Sequence, residues 1–482
     1  MTVAISKAPK IGYGDNARIA LRQLFLNWRL DEQRAGTSLW NPMGDLVRDC
    51  ARVTIKPNWV FHVNQSGEPF GALEEDHANG NGSDAGNGLD CLVTHPDIID
   101  GVLDYVGRLR PERITVGDAP LQGCDFKRLR EVCGLDEIAG RHGAEVSDFR
   151  RTVMAPDARG LQRENQRDLG HFVLFDLGAD SLIEGLGNYG TRLRVTMYNP
   201  DLLGRTHASG RHQYLIAREV LESDLVVNLP KLKSHMKAGV TGALKNLVGI
   251  NGNKEFLPHH RKGGSRQGGD CYEGYTFWKS CAEDVLDHAN RRRGGMAKAA
   301  LSWSARKMLG ADRLAGSDGL VEGAWYGNDT VWRTALDLNR ILIYGRPDGS
   351  MANEPQRTIL HITDAILGGE GEGPLRPTAA PSGFLTGSLN AAAAEWVNVR
   401  AMGWDPMKIP LVREAFGRFR WPLAEARPED IRVLGEAGAM SESDIVPPHG
   451  HQFTPSAGWQ GHVEQPWQAR TPALKSVDRS ER

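Results

Sequence analysis

Long apolar runs are missing from this sequence. No stretch approaches the roughly 18 to 20 apolar residues that a membrane span requires, and runs such as Leu225 to Val227 are short and bounded by charge. The N-terminal MTVAISKAPKIGYGDN has no apolar core and no small-residue cleavage site, so the expected compartment is the cytoplasm. Closely spaced cysteine pairs are missing too. The six cysteines, Cys50, Cys91, Cys124, Cys133, Cys271 and Cys281, form no C-x-x-C. That argues against a zinc ribbon or a ferredoxin-type iron–sulfur cluster and for reduced, structural thiols. Neither sign of charge is in excess. A formal net charge of -2 makes the whole chain no polyanion binder, so any electrostatic specialisation is local. No internal repeat of fixed period stands out.

What is present is a globular chain of 482 residues, 40% of them apolar, enough for a large core. Asn16 to Leu30 has helical spacing of Ile19, Leu21, Leu24, Phe25 and Trp28, with Asp15 placed to cap it. Short apolar runs at 51–56, 113–116, 172–177, 193–198, 224–229 and 358–363 read as strands. Helices are expected from Thr94, over 125–132, over 214–221 and over 390–401, and Gly67 to Gly88 reads as a mobile loop. Strands alternating with helices predict an α/β fold whose mostly parallel or mixed sheet is covered on both faces. The expected divisions are an N-terminal helical extension over 1–48, an α/β core over 49–278 and 346–440, and a helical insertion over 279–345. Residues 441–482, rich in Pro, Gly, Gln and Ser, read as a disordered or surface-wrapping tail.

Four polar motifs directly follow strands: Lys56-Pro57-Asn58, Gly117-Asp118, Lys231 to His235, and Asp364. In open α/β sheets ligands bind outside the carboxyl ends of the strands. Each motif alone is as well explained by an ordinary turn; four together predict one crevice.

The strongest signal is PKLKSHMKAGVTGALKNLVGINGNKEFLPHHRK, residues 230–262. It carries seven basic residues, among them Lys231, Lys233, Lys245 and Lys254, against the single acid Glu255. Interleaved Gly239, Gly242, Gly249 and Gly252 let a backbone approach a ligand, and in a merely solvated helix each would cost about 1 kcal/mol. Lysines offer point charges to phosphate or carboxylate, and backbone N–H groups of a helix starting near Thr241 would add to the field. A solvated basic loop is the plainer alternative. A nucleic-acid surface would need interleaved aromatics, and only Phe256 lies inside. His235, flanked by lysines, is expected to have a lowered pKa, which suits a neutral base or metal ligand.

The acidic counterpart is ITDAILGGEGEGPL, where Asp364, Glu370 and Glu372 in a glycine-rich loop would offer oxygen ligands to a divalent cation such as Mg²⁺. The alternative has Asp364 capping a helix and the two glutamates facing solvent.

Lys56-Pro57-Asn58, Gly117-Asp118, NLPKLKSHMKAGVTGALKNLVGING, ITDAILGGEGEGP and Gly403-Trp404-Asp405-Pro406 together resemble the family catalogued as domain of unknown function 362, over roughly Cys50 to Phe416. Many members of that family carry a ferredoxin-like module or a twin-arginine signal, and this sequence has neither. His235 with Lys245 is faintly similar to the arrangement in nickel-pincer lactate racemases, whose resemblance would imply a pincer cofactor. The residues themselves predict a small-molecule enzyme acting on an anionic substrate. Lys56, Asn58, Lys231, Lys233, Lys254 and Gly242 would bind it, and His235, Lys245 and Asp118 would be catalytic. The alternatives are a redox or pincer-cofactor protein and a non-enzymatic binder of an anionic metabolite.

Overall fold

The computed structural model describes residues 1–66, 88–157, 160–187, 192–292, 294–441, 444–447 and 450–466. Twelve strands form one sheet. In chain order they are β1 (Thr2–Lys7), β2 (Arg52–Pro57), β3 (Arg113–Asp118), β4 (Glu145–Asp148), β5 (Leu225–Leu229) and β6 (Lys231–His235). They continue with β7 (Gly239–Thr241), β8 (Thr358–Glu372), β9 (Arg376–Ala380), β10 (Phe384–Ser388), β11 (Arg432–Gly435) and β12 (Gly438–Met440). The spatial order is β12-β11-β1-β10-β8-β5-β2-β3-β4, with β6, β7 and β9 attached to the far end of β8. From β8 to β4 every pairing is parallel, while β10 runs antiparallel to both β8 and β1. The sheet is therefore mixed, with a parallel centre, and the α/β expectation holds.

The sequence of β5 explains its central place. All five residues of LVVNL are buried, as expected of a strand covered on both faces. Alternation then sorts the side chains. Leu225, Val227 and Leu229 join the core under helices Asp15–Trp28 and Pro96–Gly107, and Val226 joins the core of helix Val331–Tyr344. Burying each such side chain stabilises by about 1.5–3 kcal/mol. Helix Ala391–Ala401 is apolar on nearly every side, so it lies inside the molecule. Asn390 caps it by accepting from the Ala393 N–H. The two polar residues it carries inward, Glu395 and Asn398, are fully buried.

Several expectations are corrected. Residues 1–48 are no extension: β1 is inserted between β10 and β11, because TVAISK, four of its residues buried, is too short a pattern to stand out beside the helix that follows. Asp15 opens that helix rather than capping it; the cap position is Gly14. The helix expected over 214–221 is a strand, Arg211–Ala217, paired with Phe172–Asp176, and only Arg218–Leu221 is helical. Of the strand read over 193–198, Leu193–Arg194 remains. Within 279–345, helices Phe277–Asn290 and Met296–Leu314 pack on each other, but Val331–Tyr344 belongs to the main core. The glycine-rich loop after Asp364 is the second half of β8. A Cβ on Gly369 would stand 2.6 Å from the Cys91 carbonyl oxygen, so this glycine serves close packing.

The loop read over 67–88 lies outside the described residues except for Gly88, as do residues 467–482 of the tail. The described part of the tail has little regular structure but packs closely. Phe453, Trp459 and Val463 are buried, and Trp459 Nε1 donates to the Met236 carbonyl at 2.8 Å. Of the two readings, disordered or surface-wrapping, the described part fits the second: three buried apolar residues in that stretch outweigh its polar composition. No helix among the described residues is long and apolar enough to cross a membrane.

Candidate functional site

The carboxyl ends of β2 and β3 meet at a buried ion pair. Lys56 Nζ lies 2.7 Å from Asp118 Oδ1, both side chains almost wholly enclosed. Trp59 N–H and Ala119 N–H also donate to Asp118, at 2.7 and 2.8 Å. Burial pushes the Asp118 carboxyl up and the Lys56 ammonium down, against the pull of each on the other. Gly249 closes this corner, since a Cβ there would fall 1.9 Å from Asp118 Oδ1. A second buried pair stands where β6 leaves β5. Lys231 Nζ is 2.6 Å from Asp364 Oδ2, and it also donates to Tyr13 Oη at 2.6 Å. Tyr13 donates to Asp364 Oδ1 and stacks on the His95 ring at 3.6 Å.

In front of these pairs opens a cavity of about 560 Å³. Asn58, Asp118, Lys233, His235, Lys245 and Lys254 line it, whereas Lys56, Lys231 and Asp364 stand behind the wall. Glu372 lines the cavity too, so seven of the expected residues are brought together. Basic side chains outnumber acids along the wall, and most are matched: Lys237 by Thr196 and Glu322, Lys262 by Asp284 and Asp287. Lys233 and Lys245 are not. Lys233 donates to the Leu92 carbonyl, and Lys245 Nζ has no partner among the described residues. Burial, with Lys231 and Lys245 adding to it, pulls Lys233 down to about 7. Burial, then Lys254, Lys237 and Lys56, brings Lys245 to about 7 as well.

His235 is held well below its usual value by burial and by Lys245, Lys237 and Lys233, as its lysine flanks suggest. Its role as a base is corrected. Nδ1 accepts from the Lys237 and Ala238 N–H groups at 3.1 and 3.2 Å, so in the neutral ring the proton sits on Nε2. His235 therefore offers a donor.

The helix start expected near Thr241 is only a four-residue turn, Ala243–Asn246, and its first N–H is not free for a ligand. Ala243 N–H donates to Glu395 Oε2 at 2.7 Å. A Cβ on Gly242 would lie 2.0 Å from that same oxygen, so Gly242 admits the carboxylate and touches no ligand. Burial lifts Glu395 to about 7.

The three acids read as cation ligands do not converge. Asp364 is spent on Lys231, Tyr13 and the His95 N–H. Glu370 accepts from His451 Nε2 and Thr454 N–H, and Glu372 from Ala457 N–H. All three are occupied by protein donors, and no group of three or more potential metal ligands comes together among the described residues.

Sequence reading missed Tyr13, His95, Glu395 and the cavity role of His259. Glu395 had a signal, being the single acid in an alanine-rich helix. Tyr13 and His95 had none, because stacking across 82 positions leaves no periodicity.

No curated protein matches the sequence. Among solved structures, a crystal structure of a protein from Thermotoga maritima, a Northeast Structural Genomics Consortium target, is similar at a TM-score of 0.29 and 10% identity. The match covers 74% of this chain and 54% of that one, so the chain spans about half the length of that protein. The family model described as "Domain of unknown function (DUF362)" matches residues 81–166 and 178–400, which include β3 to β8 and the lysine- and glycine-rich segment around the cavity. With well over half of its length matched, the chain belongs to the DUF362 family.

Proposed function

We propose that this chain is a cytoplasmic small-molecule enzyme whose substrate bears a carboxylate or phosphate group, bound in the cavity in front of β2, β3 and β5. One observation carries the reading. Two buried lysines, Lys233 and Lys245, face that cavity without a carboxylate partner among the described residues, and an unpaired buried charge is costly. An anion would supply the missing countercharge, with His235 Nε2–H as a directed donor beside it. Asp118 holds Lys56, and Asp364 holds Lys231, so their part is to set the lysine framework. The free cysteines, four of the six buried, suit a reducing compartment.

A thermal-shift series with inorganic phosphate, acetate and larger carboxylates tests the reading. Stabilisation by at least one of these classes, lost in Lys245→Met, is the expected result. Indifference of the melting temperature to every anion would overturn it.

A further inference from the structure

The cavity wall holds acceptors as well as donors. Asn246 turns its amide nitrogen toward the Lys56 carbonyl at 3.2 Å and toward Asn228 Oδ1 at 2.8 Å. Its Oδ1 therefore faces Lys56 Nζ and Asn58 Nδ2, at 3.1 and 2.9 Å. Flipping Asn246 would set its nitrogen against an ammonium, and flipping Asn58 would set two amide oxygens together. Asn58 is thus fixed with Oδ1 pointing away from this network. That oxygen is buried and has no hydrogen-bond partner, on a cavity-lining residue only 9% exposed.

His259, half-buried on the same wall, offers a second acceptor. Its Nδ1 lies 2.6 Å from the Leu257 carbonyl oxygen. A carbonyl only accepts, so Nδ1 carries the proton and Nε2 the lone pair. No described residue donates to Nε2. The Lys245 ammonium is within electrostatic reach of both places. It acts with Lys56 and Asp118 of the Asn58 network, and with Lys237 and Lys254, which act on His259 too.

A buried acceptor without a donor forfeits its hydration for nothing. Asn58 Oδ1 is such an acceptor, and together with the half-buried His259 Nε2 on the same wall it fits a ligand that brings donors. Ammonium donors are disfavoured by the surrounding lysines, whereas a hydroxyl donates without adding positive charge. We infer that the anion taken by this cavity also carries hydroxyl groups, its carboxylate or phosphate at Lys245 and Lys233 and its hydroxyls on Asn58 Oδ1 and His259 Nε2. This rests on the anion reading above and narrows it to hydroxy acids or phosphorylated polyols.

Titration calorimetry on the full chain with matched pairs decides the matter: glycerate against propionate, and glycerol 3-phosphate against propyl phosphate. The hydroxylated member should bind about tenfold tighter or better, the order expected when a polar site is left unpaired by the deoxy ligand. The pair that binds tells carboxylate from phosphate. Asn58→Ala and His259→Phe should each weaken the hydroxylated member toward its deoxy counterpart. If either variant fails to fold, the wild-type comparison still decides. Equal affinities within each pair that binds would overturn this inference and leave the anion reading standing. No binding by any of the four would overturn both.

Discussion

Gly249 lies so close beneath Asp118 that a Cβ at 249 would stand 1.9 Å from Oδ1 and 2.7 Å from Lys56 Nζ. The buried pair and the glycine form one packed unit, and the Asp118 and Lys56 side chains that would have to give way are tied down by hydrogen bonds to each other, to the Trp59 and Ala119 N–H groups and to Asn246. Gly249→Ala should therefore destabilise the fold by about 1–3 kcal/mol, the range for overpacking in a closed interior. Urea denaturation measures it, and an unchanged midpoint would show that the corner can expand.

The same pair should behave as a coupled unit. Asp118→Asn leaves a buried ammonium and Lys56→Met a buried carboxylate, each expected to cost about 3–5 kcal/mol. The double variant should cost clearly less than the sum of the two. Strict additivity in a double-mutant cycle would mean the charges do not depend on each other.

Lys245 predicts two pH effects of opposite sign. With its folded value near 7 and an unfolded value near 10.4, the unfolded chain binds more protons between those limits. Stability of the unliganded protein should thus rise with pH from about 7 toward 10. Anion affinity should fall over the lower part of that window, as the ammonium is lost. Lys245→Met should flatten both trends, read by thermal melts and by calorimetry at pH 6.5 and 8.5. A wild-type stability that falls with pH as steeply as the variant's would contradict the assignment.

Glu395 should act on binding through the turn it anchors. Glu395→Ala removes the acceptor of the Ala243 N–H and should cost about 1–3 kcal/mol, while loosening the turn that carries Lys245. Glu395→Gln keeps an acceptor oxygen and should restore most of both. If alanine and glutamine variants bind anions equally well, the anchor is irrelevant to the site.

Trp459 tests the tail. It is buried and bonded to the Met236 carbonyl, beside His235. Trp459→Ala should cost about 3–5 kcal/mol and weaken anion binding. A variant as stable as wild type would show that residues 450–466 are ornamental.

Much of the sheet was legible in the sequence, because strands buried on both faces, such as Leu225–Leu229, leave runs that nothing else explains. The lysine segment was legible for a related reason: charge and glycine at such density fit neither a core nor an ordinary helix. What could not be read was which lysine pairs with which acid. Lys231 and Asp364 meet across 133 positions, and that separation is set by the crossover of the sheet rather than by any local pattern. The strand Thr2–Lys7 was hidden by brevity. Which of its two readings the tail would take was hidden, because its average polarity conceals three well-spaced apolar residues. The polarity of His235 lay in two backbone N–H groups, which no side-chain pattern reports.

Strand β1 has a consequence for how the molecule is made. Its neighbours are β10 and β11, residues 384–388 and 432–435, so β1 is synthesised several hundred residues before the strands it pairs with. Until then one edge of β10 and both edges of β1 are open to other chains. Contacts of such sequence separation are slow to form, and an incomplete chain with exposed strand edges is prone to aggregate. Nascent chains stalled before residue 432 should accordingly depend on chaperones that shield strand edges, and supplying a peptide of residues 1–10 in trans should compete with β1 only during synthesis.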